Sequence, residues 1–384
     1  MRKERLMIPG PTMIPPEGLE AMGRPMINHR GVDFHHMYQR VQMGLQQVLG
    51  TVEDVLVFPG AGTGGMEALL VNLFSPGDQV LVLETGVFGR RFADIAEAFG
   101  LAVQTITFPM GEGIDLVVLH DHLAKDENHS IQAVIMTQNE TSTGVSHGVD
   151  AVRNAMADHP ALLLVDGVSS VGAMDFQMDA WRVDGVVTGS QKALMTAPGL
   201  TIVALSQNAW ARTTRATLPR YYWDFTRART AGKRGETPYT PAIPQWMGLD
   251  SALQLMLAEG LDVIYQRQKK LGLSFRAGIH AMGLHTVAHP PWQSDTVTAL
   301  WVPGGVDTKA WQHILSAQYG IETAGGQGPL AGQIIRIGHM GYVDILDIIA
   351  VLGAMEMSLA SLGYFRTGGV AAAQTMWIKG GTCQ

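Results

Sequence analysis

The sequence of 384 residues contains a single cysteine, Cys383, and its charged residues make up only 16% of the chain. One thiol cannot form an internal disulfide or a multi-cysteine metal site, so a disulfide framework and a zinc ribbon are excluded. Acidic residues outnumber basic ones by 34 to 27, which argues against a nucleic-acid-binding protein. The single cysteine suits a reducing compartment, and we expect a cytoplasmic protein.

Long uninterrupted apolar runs are also lacking. The longest, from Ile348 to Phe365, contains Glu356 and several small residues, so it predicts a buried helix rather than a membrane span. The basic N-terminus reaches prolines before an apolar signal core can form, so we expect no secretory signal. Hydrophobic residues still make up 46% of the chain, which is enough for a large core. The length suggests two domains.

Short apolar runs alternate with helical patterns between residues 55 and 205. Several runs are continuous stretches of Val, Ile and Leu, which is typical of strands covered on both faces. Helical periodicity is clear in Gly65–Phe74 and Phe92–Phe99. This alternation predicts an α/β fold with a mostly parallel sheet. The predicted strands are Val55–Phe58, Gln79–Leu83, Val103–Phe108, Ala133–Thr137, Ala161–Asp166, Val183–Thr188 and Leu200–Leu205.

The composition changes after residue 205. Residues 206–247 are rich in Arg, Thr, Pro and aromatic residues and predict a long loop region. A helical segment follows, and then strand-like runs at Thr296–Trp301 and Ile334–Ile337, with a final helix from Asp344. We therefore expect an N-terminal segment with a large domain over residues 1–250 and a smaller α+β domain over residues 251–384.

A glycine-rich segment, GAGTGG at residues 60–65, follows a predicted strand and opens a predicted helix. Glycines there allow backbone N–H groups to approach an anion, and the helix N-terminus favours negative charge. A nucleotide-hydrolysing P-loop would end in Gly-Lys-Ser/Thr, whereas Gly65-Met66-Glu67 stands here. The segment therefore indicates either a phosphate-binding loop or a tight strand–helix turn.

Asp166 ends one predicted strand, and Lys192 follows the next predicted strand after the turn Gly189-Ser190-Gln191. Both positions are expected at the carboxyl edge of the parallel sheet, where ligands bind in such folds. A helix cap for Asp166 and a solvated surface position for Lys192 are the simpler alternatives.

Pyridoxal phosphate chemistry uses all three features. That cofactor needs an anion-binding loop, a lysine for its Schiff base, and a carboxylate beside its pyridinium nitrogen. The carboxylate keeps the nitrogen protonated, so the ring withdraws electrons from the substrate α-carbon.

The chain resembles the class V aminotransferases, specifically the alanine/serine–glyoxylate (serine–pyruvate) group of fold type I pyridoxal phosphate enzymes. The resemblance runs from Leu6 to about Tyr342, and the order and spacing of its motifs carry it. The motifs are MIPGPT (7–12), MINHR (26–30), GAGTGGMEA (60–68), GVFGRR (86–91), NETSTG (139–144), LLVDGVSSVGA (163–173), GSQKAL (189–194), PYTP (238–241) and RIGHMG (336–341).

The resemblance implies roles for individual residues around the cofactor. Lys192 matches the Schiff-base lysine, which also shuttles the proton between substrate and cofactor, and Asp166 matches the partner of the ring nitrogen. The other residues matched to cofactor contacts are Val168 and Phe88 on the two ring faces, Thr141 near the phenolic oxygen, and Gly62, Thr63 and Gln191 at the phosphate.

Three further residues complete the implied site. Thr237 and Thr240 match positions that reach the phosphate from the neighbouring subunit, which implies a homodimer with shared active sites. Arg336 matches the arginine that binds the substrate α-carboxylate, and a planar guanidinium suits that task because it binds carboxylates bidentately. A surface salt bridge is the alternative for Arg336.

Other polar clusters give weaker signals. A metal site among His29, His35, His36 and His339 is not expected, because adjacent histidines on a helix diverge and no acidic residue has ligand spacing. The basic stretch from Arg212 to Arg234 is interpreted as a solvated loop, with a positive rim for small carboxylates as the alternative.

These features favour an aminotransferase that moves an amino group from alanine or serine to glyoxylate or pyruvate. The alternatives are a pyridoxamine–pyruvate aminotransferase, a desulfurase-like lyase, and a non-catalytic subunit of a larger complex. A desulfurase would need a mobile cysteine, and Cys383 lies beyond the matched region. Neither a membrane nor a nucleic acid is expected as a partner.

Overall fold

The computed structural model describes residues 3–380. Its helices are α1 (Pro16–Met22), α2 (Val32–Leu49), α3 (Gly62–Leu73), α4 (Val87–Ala98), α5 (Leu116–Ala124), α6 (Val149–Ala155), α7 (Gln207–Thr213), α8 (Phe225–Gly232), α9 (Ile243–Glu259), α10 (Leu261–Ala281), α11 (Thr308–Tyr319), α12 (Ile345–Ser361) and α13 (Gly369–Lys379), with a 3₁₀ turn at Gly328–Leu330. Its strands are β1 (Arg5–Leu6), β2 (Val55–Gly60), β3 (Gln79–Glu84), β4 (Ala102–Thr107), β5 (Ile131–Thr137), β6 (Asn139–Glu140), β7 (Val145–Ser146), β8 (Leu162–Asp166), β9 (Gly185–Gly189), β10 (Gly199–Leu205), β11 (Val297–Trp301), β12 (Ile321–Glu322), β13 (Ala324–Gly325) and β14 (Ile334–Gly338).

A seven-stranded sheet with the order β2-β10-β9-β8-β5-β3-β4 forms the centre of the molecule. All its pairs are parallel except those made by β10, which runs antiparallel to both β2 and β9. The predicted α/β fold with a mostly parallel sheet is therefore confirmed. Each predicted strand has its counterpart, and the bounds differ by two residues or fewer.

The continuous apolar runs arise because both faces of this sheet are covered. In β2, Val55 and Val57 belong to the core shared with α2, α6 and α9, whereas Leu56 and Phe58 belong to the core shared with α3, α4 and α8. Successive side chains of a strand point to opposite faces, so both sets must be apolar when both faces are buried.

The carboxyl ends of β2, β3, β5, β8 and β9 share one edge of the sheet, because these strands run in the same direction. Helices α3 and α4 begin directly after β2 and β3, and their N-termini therefore also lie at this edge. Loops 138–144, 167–171 and 190–195 follow the other three strands. This edge is the place where a doubly covered sheet binds ligands.

A second, three-stranded antiparallel sheet, β11-β14-β13, packs with α10, α11 and α12. The N-terminal strand β1 pairs with β12, next to this second sheet, rather than with the central sheet. The division of the chain into 1–250 and 251–384 stays a prediction. Position 250 itself lies inside helix α9.

The prediction of a loop over residues 206–247 is wrong in part. Helices α7 and α8 form there, and the side chains of Ser206 and Asp224 cap their N-termini. The basic residues are also less solvated than predicted. Arg220 donates hydrogen bonds to the main-chain carbonyls of Val71 and Thr213, for example. The polar composition therefore reflects caps and anchors as well as solvent exposure.

The apolar run near the C-terminus forms α12, whose N-terminus is capped by Asp344 as the predicted start implied. The prediction that this helix is the final one is wrong, because the chain turns after Ser361 and continues into α13. Within residues 3–380, no helix is both long and apolar enough to cross a membrane.

Asn72 anchors the segment between α7 and α8 to helix α3. Its buried side chain donates to the carbonyls of Ala68 and Trp223 and accepts from the N–H of Phe225. We expect Asn72→Ala to destabilise the apoprotein by about 2–3 kcal/mol, because the substitution leaves buried backbone groups without partners. Urea unfolding followed by circular dichroism measures the change.

The matched control is Asn154→Ala, which removes an exposed amide from α6. Its unfolding midpoint should stay close to that of the wild type. An Asn72→Ala protein as stable as the wild type would show that this anchor contributes nothing.

Candidate active site

Asp166 lies at the last position of β8 and is 3% exposed. Its Oδ1 accepts a hydrogen bond from the N–H of Val168 at 2.9 Å, which fixes the carboxyl in the turn after the strand. Burial is the main cause that raises the pKa of Asp166 to about 7, and the negative charge of Glu140 raises it further. A carboxyl held this way is poised for a cationic partner.

Lys192 lies in the loop after β9, and its amine donates to the carbonyl of Pro9. The side-chain stem packs against Gly10, where an added Cβ would lie 2.5 Å from Lys192 Cδ. Burial lowers the pKa of Lys192 to about 8, against the attraction of Asp166. About a tenth of the amine is therefore unprotonated at pH 7, far more than for an ordinary lysine, and the unprotonated form is the nucleophile.

Asp166 and Lys192 are brought to the same sheet edge, and each influences the pKa of the other. Among residues 3–380 they nevertheless form no direct ion pair, since each hydrogen-bonds to the main chain instead. Each group therefore keeps its own main-chain partner, and the two influence each other only through space.

The glycine-rich segment forms the first turn of α3. Gly62 is buried, and an added Cβ there would lie 2.5 Å from Cγ2 of Val168, so the start of α3 is packed directly against the turn that follows Asp166. Thr63 is exposed at the second position of the helix. Within the described chain, the buried Oε1 of Gln191 has no hydrogen-bond partner. This end of the site therefore offers N–H groups and polar side chains to an anion.

Phe88 lies at the second position of α4, and its N–H donates to Glu140 Oε2 at 3.0 Å. The guanidinium of Arg91 lies 4.6 Å from the centre of its ring. Thr141 is buried in the loop after β5. Both residues follow strands of the central sheet at the same edge as Asp166, and their contacts with a cofactor stay a prediction.

Arg336 is 6% exposed in β14 of the second sheet. Its Nη1 donates to the carbonyl of Thr141 at 3.0 Å, and its Nε donates to the carbonyl of Gly325 at 2.8 Å. These two bonds use two of the five N–H groups of a guanidinium, so three are left. The alternative of a surface salt bridge fails, because the side chain is buried and its partners are carbonyl oxygens.

Thr237 and Thr240 lie in the loop between α8 and α9. The hydroxyl of Thr237 donates to the carbonyl of Tyr239 at 2.6 Å, and Thr240 is exposed. Among residues 3–380, no hydrogen bond joins either threonine to the other candidate residues. One chain therefore does not bring this pair into the site.

The histidines do not form a metal site. In the described part of the chain, no group of three His, Cys, Asp or Glu residues could hold a metal ion. His339 is fully buried, its Nε2 lies 3.0 Å from Thr298 Oγ1, and burial lowers its pKa to about 3. Cys383, the candidate cysteine of the desulfurase alternative, lies outside the described residues.

Sequence reasoning missed three contributors to the site, namely Pro9, Gly10 and Glu140. The first two meet the lysine only because the N-terminal segment crosses the molecule, which no local pattern reveals. Glu140 is a fully buried carboxyl within the NETSTG motif. Its signal was an acidic residue in an otherwise uncharged segment that follows an apolar strand.

The residues present fit pyridoxal phosphate. The N–H groups at the start of α3 and the hydroxyl of Thr63 suit the phosphate, while Asp166 offers a carboxyl to a ring nitrogen and Lys192 offers an amine to an aldehyde. A mostly parallel α/β sheet with this pair at its carboxyl edge defines a transferase of the fold type I class.

Comparison with known proteins agrees with this class. The family model "Aminotransferase class-V" matches residues 13–343. An L-aspartate–glyoxylate aminotransferase of Paracoccus denitrificans is 40% identical over 96% of this chain and 95% of its own. A serine–glyoxylate aminotransferase of Methylorubrum extorquens is 38% identical over 97% and 96%, respectively.

Two further relatives carry other names. The small subunit of a soluble hydrogenase from Synechococcus is 39% identical over 97% of both chains. The crystal structure of pyridoxamine–pyruvate aminotransferase from Mesorhizobium loti has a TM-score of 0.93 and 31% identity, covering 98% of this chain and 97% of that one. The chain belongs to the class V aminotransferase family.

The burial of Asp166 predicts a pH-dependent stability of the apoprotein. Its pKa is higher in the folded than in the unfolded state, so its contribution is fully present below the ordinary value near 3.9 and is lost as the pH rises through about 7. We expect Asp166→Asn to stabilise the apoprotein on the order of 2 kcal/mol at pH 8, and to give little gain at pH 4. Thermal unfolding of both proteins across this range measures the difference.

The matched control is Asp158→Asn, which neutralises an exposed carboxylate. The difference in stability between Asp158→Asn and the wild type should not increase with pH. A constant offset between Asp166→Asn and wild type at every pH would contradict the explanation by burial.

Proposed function

We propose that this aminotransferase uses pyridoxal phosphate to move an amino group from a small amino acid, alanine or serine, to glyoxylate or pyruvate. The observation that carries the proposal is the buried pair of Lys192 and Asp166 at the sheet edge, faced by Arg336 with unused N–H groups. The names of the relatives that use glyoxylate support the choice of acceptor.

When bound, the cofactor supplies an aldehyde that condenses with amines and a ring that draws electrons from the adjoining carbon. Lys192 is the residue that would hold the aldehyde, since burial keeps part of its amine unprotonated. Once a substrate amine takes its place, the free Nζ would remove the proton from the substrate α-carbon and return one during the reverse half.

Asp166 would hold a proton on the ring nitrogen. The nitrogen cation would supply the positive partner that this buried carboxyl lacks in the chain itself, so the carboxylate form becomes favourable. The N–H groups at the start of α3, with Thr63 and Gln191, would bind the phosphate. Phe88 and Val168 would lie on the two faces of the ring, and Thr141 would lie near its phenolic oxygen.

Arg336 would bind the α-carboxylate of either substrate. Its bonds to the carbonyls of Thr141 and Gly325 fix the plane of the guanidinium, so the remaining N–H groups are already oriented. The amino acid donor and the 2-oxo acid acceptor each carry a carboxylate beside the reacting carbon. The same arginine would therefore bind the substrate in both halves of the reaction.

The proposal includes a homodimer. Thr237 and Thr240 make no hydrogen bond to the other candidate residues within one chain, so they would reach the phosphate of the neighbouring subunit. The exposed position of Thr240 is consistent with such a contact.

Replacement of Lys192 tests the proposal directly. We expect Lys192→Ala to fold and to lose turnover by about 10⁴-fold or more, because both the covalent anchor and the proton carrier are removed. The matched control is Lys125→Ala, an exposed lysine at the end of α5, which should retain wild-type rates. A Lys192→Ala protein that turned over normally would defeat the assignment.

Replacement of Arg336 by lysine keeps the charge and removes the planar pair of donors. We expect Arg336→Lys to lower kcat/KM for every α-amino acid by about 100-fold, or about 2.7 kcal/mol, because bidentate carboxylate binding is lost. Arg215→Lys, at an exposed position, is the control. An unchanged kcat/KM would remove Arg336 from the site.

The substrates are identified by single half-reactions. Each amino acid is mixed in turn with the loaded enzyme, and the loss of the visible absorbance is followed. Bleaching by alanine or serine, and recovery with glyoxylate or pyruvate, supports the proposal. Reaction with pyridoxamine and pyruvate alone would favour the alternative activity, and no reaction with any amine would favour a non-catalytic subunit.

A further inference from the structure

Glu140 is a fully buried carboxyl in the candidate site, and none of the roles above uses it. It follows β5 at the sheet edge and belongs to the short strand β6. A carboxyl that is removed from water must be matched by donors, because burial without partners is costly. The donors that match Glu140 come from two separate parts of the site.

One carboxyl oxygen faces helix α4, and the other faces the loop of Glu140 itself. Oε2 accepts from the N–H groups of Phe88 at 3.0 Å and Gly89 at 3.2 Å. Oε1 accepts from the N–H of Ser142 at 3.1 Å and from its hydroxyl at 2.5 Å. Glu140 therefore joins the first turn of α4 to the loop after β5.

The packing at this junction is tight. An added Cβ at Gly86 would lie 2.5 Å from Ser142 Oγ and 2.6 Å from Glu140 Cδ. Glycine is therefore required at Gly86 for the start of α4 to approach the loop so closely. The carboxyl of Glu140 therefore lies directly between the two segments.

The same junction reaches the second sheet. Thr141 follows Glu140 directly, and its carbonyl accepts from Arg336 Nη1 at 3.0 Å. A displacement of the loop would therefore move an acceptor that orients the guanidinium of Arg336. Through one carboxyl, the position of the Phe88 ring and the orientation of Arg336 are set together.

Helix capping alone does not account for all the contacts of Glu140. Such a cap needs one or two N–H partners and functions equally well in water. Glu140 instead bridges two segments in the interior. A negative charge at Glu140 also favours the protonated forms of Lys192, Asp166 and Arg336, although burial is the larger effect and leaves the pKa values of Lys192 and Arg336 below their ordinary values.

We propose that Glu140 is a positioning residue that fixes Phe88 and Arg336 relative to each other, so that ring stacking and carboxylate binding depend on one buried carboxyl. The inference rests on the proposed function, which gives Phe88 and Arg336 their roles.

The test variant is Glu140→Gln, which keeps the size of the side chain. Its amide NH₂ group would face N–H donors on one side, so one of the two segments would lose its acceptor. Ser142→Ala is the milder variant, because it removes one donor and leaves the carboxyl with its three N–H partners. The control is Glu127→Gln, which removes an exposed carboxylate far from these contacts.

Three measurements separate positioning from stability. The first is thermal unfolding of the apoprotein, and the second is equilibrium binding of pyridoxal phosphate together with the visible circular dichroism of the bound chromophore. The third is the half-reaction with alanine or serine, resolved into a maximal rate and a half-saturating concentration.

For Glu140→Gln we expect a folded protein whose half-saturating concentration rises at least about tenfold and whose chromophore signal changes in shape. Ser142→Ala should show about a two- to threefold rise, and Glu127→Gln should show none. If Glu140→Gln does not fold, Ser142→Ala carries the test on the same two readouts.

A folded Glu140→Gln protein with an unchanged half-saturating concentration and an unchanged chromophore signal overturns the proposal, even if its unfolding temperature falls. If Glu140→Gln does not fold, a Ser142→Ala protein with an unchanged half-saturating concentration and an unchanged chromophore signal overturns the proposal. If the proposed function is wrong, the result is different, because the wild type itself shows no half-reaction. In that case the chromophore signal still reports whether Glu140 positions Phe88.

Discussion

The structure depends on the burial of two opposite charges, Asp166 and Lys192, at one edge of the sheet without direct contact between them. In a medium of low dielectric constant each charge is unfavourable by itself, and neither is fully compensated by the other. The fold tolerates the pair because parallel strands on either side hold the two loops in place. In the proposed function, a ligand with a positive ring nitrogen and an electrophilic carbon would interact with both groups.

Much of the fold was predictable because the central sheet is buried on both faces. Continuous apolar runs marked several of the strands, and the strand ends placed Asp166 and Lys192 at the same edge. The spacing of apolar residues predicted the helix that begins in the glycine-rich segment. The apolar content near the C-terminus predicted a buried helix there. The resemblance to the family added Arg336, whose position in a second sheet no spacing rule could connect with Lys192.

The remaining features depend on tertiary contacts. The helices within residues 206–247 were missed because their sequences are polar, and it is packing around Asn72 and the caps at Ser206 and Asp224 that forms them. Glu140 was missed because a carboxyl between two segments leaves no periodic trace. The roles proposed for Thr237 and Thr240 involve a second chain, and one sequence cannot specify how two copies meet.

The N-terminal segment ties together two parts of the molecule that are far apart in sequence. Strand β1 pairs with β12 near the second sheet, while Thr12 binds the main chain of Gln191 and Lys192 a few residues later. Between them, the carbonyl of Pro9 accepts from the lysine amine. Residues 5–12 are thus fastened at both ends, so a rotation of the second sheet would displace the main chain that contacts the Lys192 amine.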